Sequence, residues 1–222
     1  MWTPWNIGQT GAMLVAAVFA LALSVLMGRV AYRLPRALDA RIATAPSVAH
    51  RRYRAWFLAT GPILAVLCAW HFGATPAAAA AILYSVTLLA LAWIDAETGL
   101  LPDLLSLPLL WLGLLVNLDG AFTPLPDAVV GAMAGYLALW IICWLFLLIT
   151  GRVGMGHGDF KLLAALGAWL GWASLPWVVL VSSSLALAVA LGLRLTGRMN
   201  AGDSLRFGPY LAGAGIVALL RL

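Results

Sequence analysis

The sequence is a succession of apolar runs separated by short polar links, and that pattern leaves few folds open. Eight runs can be marked, at about 11–31, 55–73, 77–95, 101–118, 127–149, 159–173, 175–195 and 206–221. Most approach the ~20 residues that a helix needs to cross a bilayer. A backbone in lipid must satisfy its own hydrogen bonds, so runs of this kind fold as helices. We therefore expect an all-α, polytopic membrane protein with about eight transmembrane helices. Composition agrees, since 64% of the 222 residues are hydrophobic and only 9% are charged, too apolar for a soluble domain. Eight helices use the whole length, so residues 1–222 are expected to form a single membrane-embedded domain. The sixth run is short and the fourth is interrupted by Pro102 and Pro108. Both are candidates for tilted or re-entrant segments, which are tolerated where freed backbone groups face protein or a cavity.

The basic residues set the orientation. Arg29, Arg33, Arg36, Arg41, Arg51, Arg52 and Arg54 surround the first link, Arg152 and Lys161 the link between the fifth and sixth runs, and Arg194, Arg198 and Arg206 the link between the last two. With eight spans these links share one side, leaving only Arg221 on the other. That side is expected to be cytoplasmic, with both termini outside. The net charge of +5 is thus a topology signal and not a sign of nucleic-acid binding. Residues 1–10 lack a basic start, and the first run outlasts a signal-peptide core, so a retained first helix is expected. Cys68 and Cys143 stand alone, without a Cys-x-x-Cys pair, so neither a disulfide framework nor a metal site is expected. No cofactor is implied.

Five of the eight acids read as structural: Asp39 as solvated, Asp103 and Asp127 as helix-start residues, Asp119 and Asp203 as loop residues. Asp95, Glu97 and Asp159 remain. Asp95 ends the third run and Asp159 begins the sixth, in the stretch Gly151-Arg152-Val153-Gly154-Met155-Gly156-His157-Gly158-Asp159-Phe160-Lys161. Two spans lie between the two aspartates, so both fall at the same membrane boundary. Acids placed against apolar helices are costly and point to function. Two adjacent carboxylates do not both ionise cheaply, so the pair holds one proton. One member can then take a proton from water while the other donates to a carbonyl, which is the chemistry of amide hydrolysis. A helix N-terminus favours charge on Asp159, and a helix C-terminus favours the proton on Asp95. The glycines before Asp159, from Gly151 to Gly158, allow tight, positive-φ backbone and close approach of a substrate strand. Gly131 and Gly135 on one run, and Gly167 and Gly171 on another, have the spacing that lets helix backbones pack closely. The residues alone leave two functions open, a membrane protease and a proton-coupled transporter with Asp95 and Asp159 as a relay.

Longer motifs favour the first. Gly154-Met155-Gly156-His157-Gly158-Asp159-Phe160-Lys161-Leu162-Leu163 and the continuation to Gly171 resemble the signature of type IV prepilin peptidases, membrane aspartyl proteases of the Gly-x-Gly-Asp type. So does Ile94-Asp95 with Leu101-Pro102-Asp103 and Leu107-Pro108-Leu109. Tyr32-Arg33-Leu34-Pro35 and Phe207-Gly208-Pro209-Tyr210-Leu211 are weaker matches. The resemblance implies cleavage of prepilin or pseudopilin leader peptides after glycine, at the cytoplasmic face of the bacterial inner membrane, in type IV pilus or type II secretion systems. It implies Asp95 and Asp159 as catalytic residues and places Gly156, Gly158 and Lys161 in the motif, Lys161 without an assigned role. Two departures stand out. The segment 33–54 is a short basic link without cysteine, where many members carry a methylation domain with two Cys-x-x-Cys pairs, so N-methyl transfer is in doubt. Gly28 and Arg29 also replace the usual Asn and Val near the end of the first run.

Overall fold

The computed structural model describes residues 8–42, 48–151, 156–198 and 205–222. Arg152, Gly154 and Asp203 lie outside the described residues. Among the described residues the chain forms eight α-helices: α1 (Gln9–Leu38), α2 (Val48–Phe72), α3 (Pro76–Thr98), α4 (Asp103–Val116), α5 (Leu125–Thr150), α6 (His157–Leu170), α7 (Leu175–Leu195) and α8 (Gly208–Leu219). The expected all-α, polytopic membrane architecture is the one observed. By length and composition α1, α2, α3, α5 and α7 can each cross a membrane. At 14, 14 and 12 residues, α4, α6 and α8 are shorter.

Helix ends depart from the apolar runs in one systematic way. Helix α1 continues to Leu38 and α2 begins at Val48, so residues 33–38 and 48–54 of the basic link are helical. Hydropathy marks the lipid-facing part of a helix, whereas arginine, alanine and leucine propagate helix equally well in water. Chain turns are built as their residues require. Thr75 caps α3 by accepting from the Ala78 N–H, with Pro76 in the first turn. Gly99 ends the same helix at φ +73°, a left-handed conformation that disfavours any side chain.

Helices α3 and α6 form the core. From Leu162 to Leu170 every residue of α6 is buried. One side of α6 packs on α5 through the expected glycines: a Cβ on Gly131 would run into the Gly167 carbonyl, one on Gly167 into the Gly131 carbonyl, and one on Gly135 would lie 2.6 Å from the Leu163 oxygen. Another side packs on α4, where Trp169 Nε1 donates to the Leu109 carbonyl at 2.8 Å. Asn117, at the end of α4, donates to the carbonyls of Ala168 and Trp169 and accepts from the N–H groups of Phe122 and Thr123. Helix α8 wedges between α3 and α6. Tyr84 of α3 donates to the Gly215 carbonyl at 3.1 Å, and a Cβ on Gly215 would lie 2.6 Å from Leu166. A small residue on α8 thus lets this helix pack closely against both core helices.

Candidate active site

Asp95 lies in the last turn of α3 and Asp159 in the first turn of α6. Both are buried, with 6% and 8% of their surface exposed. They line one cavity of about 790 Å³ together with Leu101, Asp103, Gly156, His157, Gly158, Lys161 and Arg206. Asp95 Oδ2 and Asp159 Oδ1 are buried and have no hydrogen-bond partner among the described residues. An unpaired buried carboxylate oxygen is costly, so the site holds polar capacity the fold itself does not use.

The local sequence explains the placement. Gly156 is the N-cap of α6 and Asp159 the third residue of its first turn. The positive φ that the glycine run allows is taken by Gly151, at +66°, and not by the two glycines nearest Asp159. Gly156 has φ −76° and Gly158 is helical, so neither adopts a positive φ. Gly158 is small for another reason, because a Cβ there would lie 2.7 Å from Leu101 Cβ. The neighbour that approaches it is the chain's own α3–α4 link. Among the described residues, nothing lies within 4 Å of a Cβ added to Gly156.

Lys161 acquires a definite partner. Its Nζ donates to both carboxylate oxygens of Asp103 at 2.7 Å, tying the start of α6 to the start of α4. Asp103 does stand in the first turn of α4, as expected, but its carboxylate serves this ion pair and makes no cap bond. Asp127, in the first turn of α5, accepts from Trp172 Nε1.

Three groups around the site were not legible in the sequence. Arg206, counted there as a topology signal, reaches back so that Nη1 donates to the carbonyl of Asp95 at 2.9 Å and to that of Ala96. It closes the C-terminal end of α3 and brings a cation beside Asp95. Gly208, the first residue of α8, abuts the carboxylate: a Cβ there would lie 2.6 Å from Oδ2. Glu97, one of the three acids left unassigned, is engaged by Arg36, His50 Nδ1 and Trp93 Nε1, each at 2.9 Å. That cluster joins α1, α2 and α3 two residues beyond Asp95. Only the phrase Phe207-Gly208-Pro209 had hinted that α8 belongs to the site.

Fold and site together define a polytopic helical membrane protein with two buried carboxylates facing one cavity. Residues 82–191 match the type IV leader peptidase family, and the chain carries a domain of that family. The matched segment includes both Asp95 and Asp159. The chain is 48% identical over 184 residues to a prepilin leader peptidase/N-methyltransferase of Pseudomonas aeruginosa, covering 83% of this chain and 63% of that protein. Against proteins of the same name it is 57% identical over 141 residues in Aeromonas salmonicida (64% and 48% covered) and 52% identical over 168 residues in Burkholderia pseudomallei (76% and 54% covered). It therefore spans about half to two thirds of the length of these relatives. No solved structure matches the chain.

Proposed function

We propose that the chain is an aspartic endopeptidase that removes leader peptides from type IV prepilins or pseudopilins. Cleavage follows a glycine, at the cytoplasmic face of the bacterial inner membrane. The observation that carries this reading is the meeting of Asp95 and Asp159 on one cavity, from helices separated by 58 residues of chain, each with an unused oxygen. The relatives' names supply the substrate class, and the arginine count supplies the face.

In this mechanism the two carboxylates hold one proton between them, and the proton belongs to the pair rather than to either residue. The ionised oxygen takes a proton from a water, and the resulting hydroxide attacks the carbonyl carbon of the scissile glycine. The protonated partner donates to the carbonyl oxygen, which stabilises the tetrahedral intermediate. Collapse breaks the C–N bond, and a proton from the dyad passes to the leaving amine. No cofactor enters any step. Lys161 acts indirectly, by holding α4 against α6, and Gly158 by admitting Leu101 beside Asp159.

Co-expression with a prepilin, read as a mobility shift on a gel, tests the reading. Asp95→Asn and Asp159→Asn should each reduce leader cleavage by at least about a hundredfold, with the protein still in the membrane. Cleavage that persists in either variant sinks the proposal. A proton-coupled transporter would process no leader at all. N-methyl transfer is not expected from these residues, because the link between α1 and α2 has no Cys-x-x-Cys pair. Transfer of a labelled methyl group to cleaved product by the pure protein would overturn that part.

A further inference from the structure

A second cavity, of about 480 Å³, lies between α1 and α2 and shares no lining residue with the carboxylate site. Its walls carry Arg29, Arg33, Arg51 and Arg54, with Ser24, Val25, Gly28 and Leu58 below them. No acid among the described residues lines it, and the nearby Glu97 is already engaged by Arg36 and His50. Arg29 and Arg33 are four residues apart on one helix, and Arg51 and Arg54 three apart on the other. Like charges at those spacings repel on a helix surface. None of the four makes a hydrogen bond or ion pair to another described residue. Ser24 is fully buried and its hydroxyl has no partner among the described residues.

Depth identifies the ligand. A helix crosses the ~30 Å hydrocarbon core in about 20 residues. Counted inward from Thr10 on α1 this length ends at Arg29, and counted back from Phe72 on α2 it ends at Tyr53, beside Arg54. Both helices thus bring their arginines to headgroup level on the same side. Val25, which is 39% exposed, continues the cavity wall toward the acyl region.

We propose that this cavity is a binding site for one anionic phospholipid. Its phosphodiester headgroup sits among Arg29, Arg33, Arg51 and Arg54, and its acyl chain runs along Val25 and Leu58. The inference is independent of the peptidase reading.

Native mass spectrometry of the full chain, released from mixed micelles with equal amounts of phosphatidylglycerol and phosphatidylcholine, tests it. Phosphatidylglycerol should be retained preferentially. Arg33→Gln and Arg51→Gln should each weaken retention about fivefold, and Arg52→Gln, whose residue lies outside the cavity, should leave it unchanged. Should a variant fail to fold, competition on the unaltered chain decides: inorganic phosphate and glycerol 3-phosphate should not displace the lipid, because neither has an acyl chain. Equal retention of the two lipids overturns the proposal. So does an Arg52→Gln loss equal to that of Arg51→Gln, which would mean diffuse surface charge. Displacement by inorganic phosphate overturns it too, in favour of a free-anion site.

Discussion

A methyl group added to Gly208 would have to occupy a point 2.6 Å from Asp95 Oδ2, so either α8 or the carboxylate must move. Misplacing a catalytic group by about 1 Å costs on the order of a hundredfold in rate. Gly208→Ala is therefore expected to lower leader cleavage by about that factor while membrane yield stays normal; unchanged cleavage would show that α8 does not position Asp95. Glu97 makes a different claim. Its side chain and that of Arg36 are 12% and 9% exposed, so neutralising Glu97 removes the carboxylate that balances Arg36 in a largely desolvated setting. Glu97→Gln should cost about 3 kcal/mol of stability, read as a lowered unfolding midpoint in detergent. Lys161 and Asp103, at 28% and 53% exposed, form a solvated pair worth about 1 kcal/mol or less. These pairings explain what the residues alone hid. Arginine is both a topology marker and a hydrogen-bond donor, and only its surroundings decide which. Arg36 and Arg206 turned out to be bonded to other segments of the fold, whereas Arg29, Arg33, Arg51 and Arg54 line an open cavity.

Helices α5 and α6 approach until their backbones touch, and a side chain at either Gly131 or Gly167 would enter the other's carbonyl. Lipid offers no hydrophobic drive for helix association, so such close packing supplies much of the cohesion. Gly167→Val should lower stability by about 3 kcal/mol, measured as thermal unfolding in a fixed detergent. Gly192→Ala in α7 meets open space and should be neutral or slightly stabilising in the same assay. The glycine spacing made this contact legible in advance. The role of α8 was not legible, because a 12-residue apolar helix at the end of a chain carries no periodic signal of what it touches. It is nevertheless the element that packs against both α3 and α6, through Gly215 against Tyr84 and Leu166 and Gly208 against Asp95.

At the scale of the whole molecule, the proposed orientation puts the turn after α4 outside and the end of α7 inside. With Cys68 and Cys143 replaced by serine, a cysteine at Asp119 should react with an impermeant thiol reagent in intact cells. A cysteine at Arg198 should react only after the membrane is opened. Both positions are exposed, so the contrast reports sidedness. Reversed labelling would place the carboxylates on the outer face and remove the basis for a cytoplasmic substrate.

What the sequence determined by itself was the number of helices, their membrane character and the two aspartates worth following. Those features are local or periodic: hydropathy acts residue by residue, and an acid against an apolar helix is conspicuous wherever it lies. Tertiary structure alone decided that α8 would pack against both α3 and α6, that Leu101 and not a positive φ explains Gly158, and which arginines would bond to other segments. Such contacts join residues far apart in the chain, and their energies depend on distances that no single stretch of sequence encodes.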